Sequence, residues 1–413
     1  MRILHTADLH LGQVIYQYYE RTDEHLYFFE QLHRWIGEYR PDALVVSGDV
    51  FDVQQPSAAV WKMFTEIFAR IRRSFPELAI VIVAGNHDSA SRLQSHSEVW
   101  DLAGVRVVGT PPPPAVKAGT GEAEGWEDEF IVKLTGGFII AIPYSSGDRA
   151  EIIRHLQEYV ARRNDSGLPV VMTGHHTVSA GEEDEPEIGN LRCVSLDRFG
   201  DGYDYLALGH IHKSATLGRP YDPSKETKTY PSPVARYSGS VLHVSDDEAY
   251  PHSVSLVDID RRGGEVSITP LRIDQLRHFI TFPPQNEEAF ETEKKALKGL
   301  EKFIKANDRC YVRLRVASTA DLPSDFNTKV YTLIESSGKD IRYNSKIIRV
   351  SPAEEEQEAP EGIAETIEVG ELQQMASPLE FVKKTLDRYP DLRADELEDL
   401  FKEIEDELRA MNE

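Results

Sequence analysis

The sequence predicts a layered α/β fold, and three observations carry that reading. Through its first half the chain repeats one unit: a short Val/Ile/Leu run, a polar loop, then a helical stretch. The apolar runs are continuous rather than alternating, as expected of strands covered on both faces. Asp, Asn and His residues follow directly after the runs, at the edge where sheets of this class build their sites.

In order, the expected strands are Ile3-Leu4, Ala43 to Val46, Ile80 to Val83, Phe138 to Ile142, Val170 to Met172 and Tyr205 to Leu208. Helices are expected over Glu24 to Tyr39 and Ser57 to Ser74. In the second, Val60, Trp61, Phe64, Phe68 and Ile71 recur at helical spacing. That stripe packs on the helix's own sheet or, alternatively, on another copy of the chain. Pro111 to Glu124 and Glu182 to Pro186 read as surface loops, and Lys213 to Ser240 has four prolines and few apolar runs. Alternation returns over Ser253 to Ile259 and Glu265 to Ile273, with Arg261 to Gly264 as the turn, closing a first domain at residues 1–273.

Residues 274–350 read as a small α+β domain: a strand at Phe279-Ile280, a helix over Glu287 to Ala306, and a strictly alternating strand Cys310 to Val316. A second helix over Asn327 to Ser336 and a strand near Ile341 to Val350 complete it. Residues 351–376 are acidic and Pro-containing, as in a linker. In residues 377–413, Ser377-Pro378 opens one helix and Tyr389-Pro390 breaks it. Leu397, Leu400, Phe401, Ile404, Leu408 and Met411 stripe a second. So small a pair has little core of its own and reads as a segment that docks on a partner's helices.

Charge is unevenly spread. The formal net charge is −24, but Ser351 to Glu413 holds 20 acidic against 6 basic residues, and Gln275 to Val350 holds 14 basic against 10 acidic. A polyanionic ligand is therefore not excluded. Arg313 and Arg315 share one face of the alternating strand and are read as candidate DNA contacts. Two distant cysteines, Cys193 and Cys310, argue against a disulfide framework and fit a reducing cytoplasm. The first acidic residue falls at position 8 with no long apolar stretch before it, and no run of about 18 apolar residues exists. Neither a signal peptide nor a membrane span is expected.

The chemistry lies in five short motifs: Asp8-x-His10, Gly48-Asp49-x-x-Asp52, Gly85-Asn86-His87-Asp88, Gly174-His175-His176 and Gly209-His210-x-His212. Singly, each fits a mundane turn or cap. Together, in order and each behind an expected strand, they supply seven donors: Asp8, His10, Asp49, Asn86, His175, His210 and His212. That is more than one ion needs and suits two ions sharing a carboxylate. Mixed imidazole and carboxylate donors favour Mn, Fe or Zn over Mg or Ca.

This constellation resembles the calcineurin-like metallophosphoesterases, within them the nuclease subunits that work with a coiled-coil ATPase. The resemblance implies a layered metallophosphoesterase sandwich with a small capping domain and C-terminal helices. It implies two divalent ions, with Mn2+ expected, one held by Asp8, His10, Asp49 and His212 and the other by Asp49, Asn86, His175 and His210. His87 matches the family's catalytic histidine, with Asp52 or Asp88 as the acid that orients it, and His176 as a neighbour only. Tyr237 to Ser240 looks like the family's loop beside the metals, Val241 to His243 after it fits the usual pattern only loosely, and no site residue is assigned there. The resemblance further implies hydrolysis of double-stranded DNA ends and hairpins in repair, recombination and replication. Its implied partners are another copy of the nuclease, forming a homodimer, and an SMC-like ATPase bound through residues 377–413. The alternative on the same residues is a small-molecule phosphoesterase, a nucleotidase or cyclic-nucleotide phosphodiesterase, which does not require residues 274–413.

Overall fold

The structure, a computed structural model, describes residues 1–112, 125–147, 149–180, 193–244, 248 and 250–351. The expected helices in 377–413 and, apart from Ser351, the linker 351–376 lie outside the described residues, as do 182–186 and most of 111–124.

Two sheets face each other. The seven-stranded sheet runs in the order Lys228–Pro231, Glu265–Arg272, Ser253–Ile259, Arg2–Thr6, Ala43–Ser47, Ala79–Val83, Val105–Val108, its last four strands parallel. The six-stranded sheet runs Ala215–Thr216, Val234–Tyr237, Tyr205–Gly209, Val170–His175, Gly137–Ala141, Ile131–Leu134, with four parallel strands at its centre. Alternate side chains explain the continuous apolar runs. Ile3, Val45, Val81 and Val83 join the core between the sheets with Ile139, Val171, Leu206 and Val257. Leu4, Leu44, Val46, Ile80 and Ile82 point the other way, onto Phe28, Leu32 and Ile36 of helix Thr22–Tyr39 and Phe64, Phe68 and Ile71 of helix Ala58–Ser74. The latter helix thus packs on its own sheet, with Ser57 as its N-cap accepting from the Val60 N–H. Helix Ala150–Ala161 covers the far face of the second sheet through Ile153, Leu156 and Val160.

The Lys213 to Ser240 stretch departs from the sequence reading. Val234–Tyr237 is a fully buried strand inside the second sheet, and the stretch's prolines lie between strands or, as Pro231, at a strand's last position, so none interrupts one. Residues 279–350 build a three-stranded parallel sheet, Phe279–Phe282, Arg309–Ala317 and Asp340–Val350, covered by helices Glu293–Ala306 and Phe326–Ser337. Leu300, Phe303, Val312, Leu314, Val330 and Tyr343 fill its core. The first of these helices begins six residues later than its periodicity suggests. Phe290 bridges Val316 as an added strand residue, and Thr292 then caps the helix through the Lys295 N–H.

Candidate metal centre

The parallel strands end together, and the five motifs sit on those ends. Asp8 and His10 follow Arg2–Thr6 and are tied to the neighbouring loop by backbone bonds from Asp8 N to Gly48 O and from His10 N to Asp49 O, both 3.0 Å. His175 ends its strand beside Gly209 of the next, which delivers His210. Tight loops are needed. Asp8, His10, Asp49 and His210 all have positive φ, at 50°, 46°, 47° and 94°. Each such conformation costs roughly 1–3 kcal/mol and persists only where the surroundings dictate it. Two glycines make room: a Cβ on Gly48 would lie 2.2 Å from His175 Nδ1, and one on Gly85 would lie 2.1 Å from Asp49 Oδ1.

The structure brings all seven expected donors together, in two groups. Asp8, His10 and His212 form one, and Asp49, His175 and His210 the other, with donor atoms in each within 4.8 Å of one another. Asn86 joins the second, its Oδ1 2.9 Å from both His175 Nε2 and His210 Nδ1. Asp49 stands between the groups: its Oδ2 is 3.2 Å from His175 Nε2 and 4.0 Å from His10 Nε2. His10 Nε2 faces His212 Nε2 at 3.3 Å.

This donor set fits a cation. His175 Nδ1 donates to Ser47 O at 2.7 Å, which turns the lone pair of Nε2 toward the lone pairs of Asn86 and Asp49. Such atoms repel unless a positive charge lies among them. Asp8 and Asp49 are 1% and 2% exposed, and among the described residues neither has a Lys or Arg within ion-pair distance. Buried carboxylates neutralised only by imidazoles are the pattern of borderline divalent metals.

Without a metal, protons do the same work. Burial pushes the Asp49 carboxyl up, but the His175 ring overrides it and holds Asp49 well below the usual range. Burial disfavours charge on His175, yet Asp49 lifts that ring to about 9. Burial and the nearby His175 charge lower His210 to about 4. Burial also raises Asp8, against the pull of His175.

His87 is exposed at the rim, its ring centroid 5.1 Å from that of His10 and its backbone N–H on Asp49 Oδ1. Here the expected orienting acid is corrected. His87 Nδ1 donates at 2.9 Å to the backbone carbonyl of Asp52, not to a carboxylate. The Asp52 carboxylate stands 3.4 Å from His10 Nδ1. Asp88 is buried and accepts from the N–H groups of Val50, Phe51 and Gly85, knitting two site loops together. Burial, with Asp49 nearby, raises its carboxyl to about 6. His176 faces away, between Tyr144 and Phe199.

Arg315 also needs correction. It is 5% exposed and donates to the carbonyls of Pro283, Pro284 and Glu287. Arg313 and Arg315 do share the face opposite the core residues Cys310, Val312 and Leu314, and the register shift between them falls in the neighbouring strand, where Asn344 to Ile348 spans the same step. Arg313 lines a cleft of about 580 Å3 with Lys346, Tyr16 and Gln17. Glu248 is a site residue that sequence reasoning missed: its Oε1 lies 3.5 Å from His212 Nδ1 and its Oε2 3.4 Å from His252 Nε2. No motif marks it, because its position depends on how the chain returns after Val234–Tyr237.

The chain is similar to SbcD of the nuclease SbcCD from Rhodobacter capsulatus, at 33% identity over 63% of this chain and 66% of that protein. The SbcD proteins of Bacillus subtilis and Escherichia coli K12 match at 29% and 30% identity, over 62% and 60% of this chain and 66% and 62% of their own lengths. The chain thus spans just under two thirds of the curated relatives it matches. The solved nuclease MPE of Pseudomonas putida is a distant likeness: TM-score 0.20 and 15% identity over 42% of this chain and 61% of that one. The profile of the calcineurin-like phosphoesterase family matches residues 1–214, the stretch that carries all five motifs. With strand-end loops, donor set and family profile in agreement over more than half its length, the chain belongs to the calcineurin-like phosphoesterases.

Proposed function

We propose that the chain is a metal-dependent DNA nuclease subunit that hydrolyses phosphodiester bonds at double-stranded ends and hairpins, with manganese as its working ion. The observation that carries this is the pair of donor groups meeting at Asp49. Asp8, His10, Asp49 and His212 would hold one ion, and Asp49, Asn86, His175 and His210 the other. A bound ion pair supplies water activation and charge neutralisation of the phosphate during in-line displacement. The chain's own groups do the rest. The Asp52 carbonyl fixes His87 with Nδ1 protonated, so Nε2 is the atom that holds or delivers a proton at the rim. Arg313 and Lys346, in their cleft beside Tyr16 and Gln17, offer cations to a nucleic-acid backbone.

The similarity to three proteins named as the D subunit of the nuclease SbcCD supports a nuclease that works with a second subunit, and on our reading the substrate is DNA and the partner an SMC-like ATPase engaged through residues 377–413. The same reading includes a homodimer and a cytoplasmic role in repair, recombination and replication. Among the described residues, no helix is long and apolar enough to cross a membrane. The test is manganese-dependent cleavage of end-labelled duplex and hairpin DNA by wild type and His87→Gln, with a small phosphodiester alongside. DNA cleavage that His87→Gln loses supports the reading. Turnover of the small ester alone, with DNA intact even beside the ATPase, overturns it in favour of a small-molecule phosphoesterase.

A further inference from the structure

Behind the His212 loop lies a second polar site that shares no residue with either donor group. Its floor is Arg236, on the buried strand Val234–Tyr237 and only 8% exposed. Arg236 donates from Nε to Ser255 Oγ at 3.0 Å and from Nη1 to Thr216 Oγ1 at 2.9 Å. Both partners are neutral hydroxyls. Among the described residues no carboxylate pairs with this guanidinium, and its Nη2 has no hydrogen-bond partner. A buried cation normally has a counter-charge. Among the described residues Arg236 lacks one.

Two adjoining clefts open onto Arg236 and share Ser214, Asp222 and Ser224. Each has an interior of about 20 Å3, room for one water-sized atom such as a phosphate oxygen. Lys225 and Arg272 line the first cleft and Lys228 the second. The acids of the clefts are already engaged: Asp222, in both, accepts from Lys228 Nζ at 3.1 Å and from Ser224 N at 2.8 Å, and Glu226, in the second, lies 3.7 Å from the same Nζ. In a chain of net charge −24, residues 213–240 hold five basic against two acidic side chains, and Arg272 adds a sixth cation from the neighbouring strand. Ser214 is two residues from His212, and His252, which lines the first cleft, shares Glu248 with it.

We infer that the Arg236 clefts bind a backbone phosphate of the nucleic-acid substrate, away from the phosphate being cleaved. The inference rests on the nuclease reading and deepens it. Because Ser214 at the clefts follows the donor His212 by two residues, a polymer is long enough to engage both places, whereas a mononucleotide carries no second diester to place here. The contact is to phosphate, so it gives affinity without sequence preference.

The experiment uses the full chain in EDTA and measures binding of a fluorescein-labelled DNA duplex by anisotropy across a salt series. Lys225→Gln/Arg272→Gln alters two exposed side chains at the cleft mouth, so it reports even where the buried Arg236→Gln fails to fold. The expected result is binding weakened roughly tenfold for any duplex sequence, with the slope of log Kd against log salt flatter by about one per contact removed. Wild-type affinity and slope in the double variant overturn the inference and leave the nuclease reading standing. A wild type that binds no duplex at any salt overturns both. Inorganic phosphate is titrated in parallel. If it binds through Arg236 while duplex affinity is the same in all variants, the clefts take free phosphate and the nucleic-acid assignment falls.

Discussion

At the residue scale, Asp49 carries the most. One oxygen approaches both donor groups, its other oxygen accepts the His87 N–H, and its backbone is held left-handed to do so. Asp49→Asn removes the charge while keeping the shape. Manganese retained after dialysis is expected to fall from two equivalents toward none, and DNA cleavage by more than about 100-fold, beyond what supporting residues cost. Retention of both ions would overturn the shared role. Glu248 is such a supporting residue, aligning His212 from behind. Glu248→Gln is expected to weaken manganese binding by about 10- to 100-fold in a calorimetric titration, with Glu248→Asp restoring part of it. The contrast shows what a sequence displays at this scale. Asp49 is legible because it sits in a short motif behind an apolar run. Glu248 is not, because its neighbour in space is 36 positions away in the chain and nothing local marks the pairing.

At the element scale, strands were readable and their exceptions were tertiary. The six expected runs all form strands, since burial on both faces leaves them uniformly apolar. Val234–Tyr237 was obscured by its Arg236, a charged residue in a buried strand, and helix Glu293–Ala306 starts late because a sheet edge captures Phe290. The loops between elements are packed as tightly as the core. Gly85→Ala would put a methyl 2.1 Å from Asp49 Oδ1 and 2.3 Å from its N, so a loss of about 1–3 kcal/mol is expected, with weaker manganese binding. Urea unfolding with and without manganese measures both. His5, on the first strand, gives an independent probe of the sheet interface. It is fully buried, bonded to Tyr205 Oη at 2.8 Å, and burial, with Arg236 nearby, lowers its ring to about 3. Unfolded, the ring titrates near 6.5. Between these values the unfolded chain takes up the proton and the folded one does not, so this stability is present above about 6.5 and is lost as pH falls toward 3. The gap in urea midpoint between wild type and His5→Gln should therefore narrow from pH 7 to pH 4.

At the scale of the whole described body, the sheet of residues 279–350 meets the phosphoesterase layers around one buried carboxylate, with Asp23 pairing Arg277 and Arg342 and Tyr19 accepting the Tyr343 N–H at its rim. Glu24, on the first helix, is 1% exposed and accepts from Arg21 at 2.6 Å, Arg277 at 3.3 Å, Arg342 at 3.2 Å and the Tyr311 hydroxyl at 2.5 Å. Three of these donors come from residues 274–350. Arg21 also donates to Gln13 Oε1 and to the carbonyl of His243, and His25 Nε2 lies 2.9 Å from Leu9 O, between Asp8 and His10. The same residues therefore link the small sheet to the loop that carries two of the expected ligands. Removing one partner of a buried ionic cluster leaves the others uncompensated, at about 3–5 kcal/mol. Glu24→Gln is isosteric, so it tests charge rather than packing, and should lower the unfolding free energy by about that amount. It leaves Asp8, His10 and their loop chemically intact. If Glu24 only holds the small sheet in place, manganese affinity will match the wild type while stability falls. If the cluster also sets the site loop, Glu24→Gln will weaken manganese binding, and Arg277→Met, which strips the same carboxylate from the other side, will weaken it in the same direction. A Glu24→Gln protein as stable as the wild type would mean that solvent already screens these charges, contrary to their burial.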